Sequence, residues 1–156
     1  MNEPQPVNEI PDDGDALRVR AVLPAPHDAV WDFVTQPGWF INDGEWREHR
    51  IETPSPGRHI VIDPVYGEFV FDDVEVVPLG RYVSRGAHTG GDTAAPATIT
   101  SFELAPAGGG TRLTITETGF SGLGLGEADT RAAIDANVAA WVRELALAAR
   151  RLDGAA

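Results

Sequence analysis

A carboxylate follows two core residues on one side of a predicted strand. In the segment from Thr111 to Phe120, Leu113 and Ile115 alternate with polar residues, and the next position on their side is Glu117. A charge on the buried face of a sheet is costly unless it finds hydrogen-bond partners. A carboxylate held there could accept a hydrogen bond from a ligand or a proton from a substrate. Glu117 is therefore the first candidate for a functional residue.

A second polar residue, Asn137, lies on the apolar side of a predicted helix. It is about 40° from Trp141 on a helical wheel, and Ile134 and Leu145 lie on the same side. Two polar groups on facing surfaces indicate a space filled by water or a ligand, because a buried polar group without a partner costs about 1–3 kcal/mol. In the alternative interpretation, Glu117 lies at the frayed end of its strand and Asn137 binds a backbone carbonyl.

Other catalytic and metal-binding patterns are weak in this sequence. The chain has no Cys, and its histidines lack the spacing of metal ligands: His27, His49, His59 and His88. Its serines lack the context of a nucleophile elbow. The segment GLGLGE lacks the last glycine of the dinucleotide-binding G-x-G-x-x-G pattern. We therefore predict neither a metal nor a cofactor.

The composition indicates one acidic domain. The chain of 156 residues carries 24 Asp and Glu against 12 basic residues, all of them Arg, for a net charge of −12. This charge disfavours nucleic acid and anionic membranes as partners, since both attract basic surfaces. The sequence shows neither a signal-peptide pattern nor an apolar run of membrane length. We therefore expect a cytoplasmic monomer that binds neither nucleic acid nor a membrane.

Hydrophobic periodicity predicts an α+β domain over residues 16–153, after a disordered acidic tail at residues 1–15. The first strand, ALRVRAVLP, precedes a short helix that begins near Pro26, and Trp39 lies in a second short helix. Six further strands follow, with the sequences EWREHRI, RHIVID, YGEFVFDDVEVV, GRYVSRGA, ATITSFEL and TRLTITETGF. A long amphipathic helix from Glu127 to Leu152 ends the domain. A bent sheet wrapped around this helix would leave a cavity wherever the two surfaces do not touch.

Four segments of the chain together follow a family pattern. They are APHDAVWDFVTQPGWF, VEVVPLGRYVSRG, ATITSFELAPAGGGTRLTITETGF and AWVRELALAARRL. In their order and spacing the chain resembles the START-like (SRPBCC) helix-grip superfamily, in the branch homologous to the C-terminal domain of the heat-shock protein 90 ATPase activator. The resemblance implies an antiparallel sheet of six or seven strands wrapped around the C-terminal helix, two short helices after the first strand, and a pocket for small apolar molecules.

Three functional hypotheses follow from the resemblance. The first is binding of a small, largely apolar ligand of unknown identity in a cavity between the sheet and the C-terminal helix. The second is a cyclase- or hydrolase-like enzyme that uses Glu117 as a general base. The third is a module that interacts with a chaperone, as the heat-shock ATPase activator does. The residues predicted to line the cavity combine aromatic and hydrogen-bonding side chains: Trp39, Trp46, Phe71, Tyr82, Glu117, Asn137 and Trp141.

Overall fold

An antiparallel sheet forms most of the protein. The computed structural model describes residues 7–9, 15–88 and 97–153. The strands in chain order are β1 (Val7–Glu9), β2 (Ala16–Leu23), β3 (Arg50–Ser55), β4 (Arg58–Asp63), β5 (Gly67–Val77), β6 (Arg81–His88), β7 (Thr98–Ala107) and β8 (Gly110–Thr118). The helices are α1 (His27–Val34), a 3₁₀ helix (Phe120–Leu123) and α2 (Glu127–Asp153). Among the described residues, no helix has both the length and the apolar character needed to cross a membrane.

The α+β helix-grip class predicted from the sequence is confirmed. The strands lie in the order β1-β2-β8-β7-β6-β5-β4-β3, so that the seven longer strands form one open sheet and β1 extends its edge. Among the described strands, β2 and β8 are the one pair of neighbours that is not consecutive in the chain, and both contribute to the main core cluster. The long helix α2 packs on one face of this sheet.

Part of the segment predicted to be an acidic tail, residues 1–15, joins the sheet. Val7–Glu9 pairs with residues 18–20 of β2. The carboxylate of Asp15 accepts the backbone N–H groups of Ser121, at 2.7 Å, and Gly119, at 3.2 Å. Hydrogen bonds from Ser121 hold the pKa of Asp15 below its usual range. The rest of this segment lies outside the described residues, and its disorder stays a prediction.

A turn follows α1 where the sequence predicted a second short helix. Backbone hydrogen bonds from Trp39 N–H to Gln36 C=O and from Ile41 N–H to Gly38 C=O hold this turn. Gly38 has a φ of +72°, a left-handed conformation that ends a right-handed helix. A side chain at Gly38 would also press against Val61. The second helix is therefore a correction, and the turn directs the buried ring of Trp39 into the core.

The loop before β3 is held by Asp63, and the strand predicted for EWREHRI is wrong except at its end. Arg47 Nη2 and His49 Nε2 lie 2.8 and 2.9 Å from Asp63 Oδ1. The backbone N–H groups of Val65 and Tyr66 donate to Oδ2 at 2.9 and 2.8 Å. The segment before Arg50 is held by these side-chain contacts, whereas the backbone pairing of β3 with β4 begins at Arg50.

Asp63 stays ionised although it is buried. Burial raises its pKa, but the N–H groups of Tyr66 and Val65, together with His49 and Arg47, outweigh that effect and hold the pKa of Asp63 below its usual range. The unfolded chain therefore takes up a proton more readily than the folded protein does. The stabilisation is present above about pH 4 and is lost as the pH falls through the lowered pKa.

The long helix packs on the sheet through the apolar stripe that the sequence predicted. Ile134, Trp141, Leu145 and Leu152 are buried and belong to the main core cluster, together with residues of β2, β7 and β8. Acidic residues in the first turn and arginines in the last turn match the two ends of the helix dipole. The helix is thus anchored along most of its length.

Replacement of Leu145 by alanine should test this stripe. Leu145 has no exposed surface, so Leu145→Ala should lower the free energy of unfolding by about 2–5 kcal/mol, the cost of a cavity in a packed core. Urea unfolding measures this loss. The matched control is Leu125→Ala, since Leu125 is 44% exposed. A loss of less than about 1 kcal/mol at Leu145 would show that the stripe does not face the sheet.

Replacement of Asp63 by asparagine should give a pH-dependent loss of stability. Asp63→Asn leaves Arg47 and His49 without their charged partner, so we expect a loss of about 3 kcal/mol at pH 7. The loss should shrink as the pH falls below about 4, because the unfolded chain takes up a proton there before the native carboxylate does. Urea unfolding at neutral and at acidic pH measures this loss of stability. The control is Asp43→Asn, at an exposed residue of the same loop. Equal losses at both pH values would contradict the role of the ionised carboxylate.

Candidate functional site

A row of four polar residues crosses the sheet from β5 to β8. Asp73 is paired with Ser84, Ser84 with Thr100, and Thr100 with Glu117. Residues that lie directly opposite each other on neighbouring strands point to the same side of a sheet. Glu117 contacts α2, so this polar row lies on the face that the helix covers.

Apolar residues flank the polar row on both sides. On one side, Tyr82, Phe102 and Ile115 are paired in turn and belong to the main core cluster. On the other side, the ring of Phe71 lies over Gly86, where a Cβ atom would come within 2.0 Å of the ring. Glycine at position 86 therefore lets an aromatic ring cover the sheet beside the polar row.

The carboxylate of Glu117 is held by three neutral donors. Thr98 Oγ1 donates to Oε2 at 2.6 Å, and Trp141 Nε1 donates to Oε1 at 3.0 Å. Asn137 Nδ2 lies 3.1 Å from Oε1 and 3.3 Å from Oε2. Glu117 is 6% exposed. These contacts explain why a carboxylate can follow two core residues: α2 and β7 supply the hydrogen bonds that water would otherwise give.

A small cavity lies beside this carboxylate, between the sheet and α2. Its volume is about 130 Å³. Its lining is mainly aromatic, with polar groups from the strands: Phe40, Phe69, Phe71, Ser84, Gly86, Thr98, Thr100, Phe102, Glu117 and Trp141. Pockets for drug-sized ligands measure roughly 300–1,000 Å³, whereas a cavity of about 150 Å³ can hold benzene. The space therefore fits a single ring or a comparable group.

Ser84 carries a polar atom that the described part of the protein does not satisfy. Its Oγ atom is buried and makes no hydrogen bond of normal geometry with the described residues. On the Asp73 side of the row, Tyr82 donates to Asp73 Oδ1 at 2.6 Å, and His59 Nε2 lies 3.2 Å from the same atom. Burial, and then the contact with Asp73, raises the pKa of Tyr82, an effect that the nearby Ser84 opposes. Within the polar row, Asp73 therefore has hydrogen-bond partners, whereas Ser84 Oγ has none of normal geometry among the described residues.

The structure brings some of the predicted site residues together and separates others. Phe71, Glu117 and Trp141 line the cavity, and Asn137 contacts it indirectly through Glu117. Trp39 and Tyr82 do not line it; they pack in the main core cluster. The register between strands also brings in residues that the sequence analysis missed: Phe40, Ser84, Thr98, Thr100 and Phe102. Strand alternation in the segment TITSF puts Thr98, Thr100 and Phe102 on one side, and this pattern could have identified them.

Trp46, the remaining predicted site residue, lies in a different place. It lines a wide surface groove of about 830 Å³ beside α1 and the C-terminal end of α2. The guanidinium of Arg151 lies 4.9 Å from the centroid of the Trp46 ring, and the indole N–H donates to Glu48 at 3.0 Å. This groove is larger than the cavity at Glu117, but it is open and has an arginine-rich border. Trp46 therefore does not line the cavity beside Glu117.

The described residues offer no metal site. Within residues 7–9, 15–88 and 97–153, no three His, Cys, Asp or Glu side chains are grouped as metal ligands are. The two histidines nearest to carboxylates, His49 and His59, each contact a single aspartate that also binds other protein donors. What the arrangement at Glu117 can do is bind a small molecule through aromatic surface and hydroxyl groups.

Comparison with known families identifies the class of protein. The chain matches the family model described as "Activator of Hsp90 ATPase homolog 1-like protein" over residues 24–147. The chain belongs to this family, and its fold is that of the START-like (SRPBCC) helix-grip superfamily. This fold supports a ligand-binding domain in general. The comparison with curated proteins returned no similar sequence.

Several solved structures share the fold. Protein Ms6760 from Mycobacterium smegmatis has 13% identity and a TM-score of 0.70, over 98% of this chain and 99% of that one. Protein MLL2253 from Mesorhizobium loti has 19% identity and a TM-score of 0.65, over 88% and 96%. DynU16, a protein of the dynemicin biosynthetic locus, has 24% identity and a TM-score of 0.63, over 92% of this chain and 48% of that one. At these identities the likeness establishes the fold alone.

Replacement of Glu117 by glutamine should destabilise the protein. Glu117→Gln keeps the shape but places an NH₂ group among three donors, so at least one donor loses its acceptor, at a cost of about 1–3 kcal/mol. Urea unfolding measures this cost. The matched control is Glu103→Gln, on an exposed residue of β7. In a double-mutant cycle with Trp141→Phe, the two changes should couple by more than about 0.5 kcal/mol. Additive effects would contradict the hydrogen bond between Glu117 and Trp141.

Proposed function

We propose that this protein binds a small, largely apolar ligand in the cavity between the sheet and α2. The observation that carries the proposal is the partly open space of about 130 Å³, lined by aromatic rings and by the polar groups beside Glu117. An apolar surface removed from water contributes about 25 cal/mol per Å² to binding. Rings from several strands and from α2 supply such surface on more than one side of the cavity. The family's fold supports the same role.

The contacts of Glu117 favour a structural and binding role over general-base catalysis. Each carboxylate oxygen already accepts two contacts from Thr98, Asn137 or Trp141. A general base needs an oxygen within reach of the proton that it removes. In the cyclase- or hydrolase-like hypothesis, one of these three donors would first have to leave Glu117. Binding requires no such rearrangement.

The third hypothesis, a chaperone-interacting module, takes its support from the family description alone. The cavity, by contrast, is a feature of this chain's own residues. We therefore propose ligand binding as the function of this domain, with the polar row as the element that orients the ligand.

Toluene is a suitable probe for this cavity, since it is apolar and contains one ring. In a ¹H–¹⁵N NMR titration, we expect saturable shifts at the amides of Phe71, Ser84, Thr100 and Trp141, which lie around the cavity. Thr100→Leu adds bulk inside the cavity and should abolish these shifts. The matched control, Thr114→Leu, adds the same bulk on the opposite face of neighbouring strand β8, and should bind toluene as the native protein does.

Two results would contradict the proposal. One is the absence of saturable shifts at toluene concentrations near its solubility limit. The other is equal binding of toluene by the native protein and by Thr100→Leu, once urea unfolding has shown that the native protein and this variant are both folded. Either result would mean that the space beside Glu117 is a packing defect of the core.

A further inference from the structure

The size, polar groups and charge of the cavity indicate the chemical class of its ligand. We infer that the ligand presents a single aromatic ring with a neutral hydroxyl group, that is, a phenol, and that the hydroxyl binds at Ser84 and Thr100. This inference rests on the proposed function and adds the ligand's chemical class to it. Three observations carry it: the size of the cavity, the unsatisfied hydroxyl of Ser84, and the charge of the site.

The size of the cavity matches a single ring. A volume of about 130 Å³ is close to that of the roughly 150 Å³ cavity known to hold benzene. The walls are aromatic on several sides: Phe40 and Phe71 meet edge to face, with centroids 5.6 Å apart, and Trp141 lies 4.9 Å from Phe40. A flat ring suits such walls, because aromatic pairs favour stacked and edge-to-face contacts.

Ser84 identifies where the ligand's polar group lies. Ser84 is 7% exposed and lines the cavity, and its Oγ atom makes no hydrogen bond of normal geometry with the described residues. A buried polar atom without a partner costs about 1–3 kcal/mol. Thr100 is paired with Ser84 on the next strand and lines the same cavity. A ligand hydroxyl placed between these two side chains can accept from one and donate to the other.

The charge of the site excludes acidic ligands and favours a neutral one. The described lining contains the carboxylate of Glu117 and no Lys, Arg or His, so a benzoate or a phosphate would meet repulsion without a cationic partner. An ammonium group would need a free carboxylate oxygen, but the oxygens of Glu117 are occupied by Thr98, Asn137 and Trp141. A phenolic hydroxyl requires neither a cation nor a free carboxylate.

Four one-ring probes separate these possibilities: phenol, toluene, benzoate and benzylamine. NMR titration of the native protein should give phenol a dissociation constant about five- to tenfold lower than that of toluene, the gain expected for one or two hydrogen bonds. Benzoate should not bind. Ser84→Ala should bring phenol to the affinity of toluene and leave toluene unchanged. The matched control is Ser101→Ala, because Ser101 is equally buried but lies at a neighbouring position that faces the other side of β7.

The outcomes distinguish failure of the phenol assignment alone from failure of both the phenol assignment and the proposed ligand binding. Equal affinity for phenol and toluene, or a preference for phenol that survives Ser84→Ala, would overturn the phenol assignment while ligand binding in the cavity stands. Tighter binding of benzoate or benzylamine would overturn it as well. If no probe binds to the folded native protein, both the phenol assignment and the proposed function are wrong.

Discussion

The buried negative charge of Glu117 constrains the whole domain. It lies on the face of the sheet that α2 covers and is 6% exposed, so protein donors replace most of its contacts with water. One donor comes from β7, Thr98, and two come from α2, Asn137 and Trp141. Removing any of these partners leaves a charge or a donor unsatisfied in the core. The carboxylate therefore fixes both the register of β7 on β8 and the rotation of α2 about its axis.

The cavity is a consequence of this arrangement. A row of paired polar side chains cannot be packed like the apolar rows beside it, because Ser84 and Thr100 are small and need hydrogen-bond partners. Phe71 can cover the neighbouring row only because position 86 is glycine. A space lined by rings and hydroxyl groups remains between the polar row and α2. The feature that stabilises the contact of sheet and helix thus also leaves room for a ligand.

The sequence was sufficient to predict the elements and the two central polar residues. Strand alternation placed Glu117 on the core side, and helical spacing placed Asn137 and Trp141 opposite it. These predictions depend only on the local periods of strand and helix. In contrast, the contribution of Ser84 depends on how β6 pairs with β7, and that of Thr98 depends on how β7 pairs with β8. Local periodicity carries no information on pairing.

The errors in the sequence predictions also arise from tertiary contacts that local patterns do not show. The segment EWREHRI has the composition of a strand, but the long-range contacts of Arg47 and His49 with Asp63 make most of it a loop. Val7–Glu9 lies in a segment too polar to form a core, yet it gains backbone hydrogen bonds from the open edge of β2. In both cases a tertiary partner overrides a local preference. Trp46 was predicted to be a cavity residue on its type alone, and its loop carries it to the surface groove.

The central claim is that the indole of Trp141 is hydrogen-bonded to a buried carboxylate at the centre of the domain. Hydrogen exchange of the tryptophan indole N–H groups, followed by NMR in the native protein, tests it most directly. We expect the Trp141 indole proton to exchange orders of magnitude more slowly than that of Trp46, whose indole donates to Glu48 at the surface. Exchange of the Trp141 indole as fast as that of Trp46 would contradict the account.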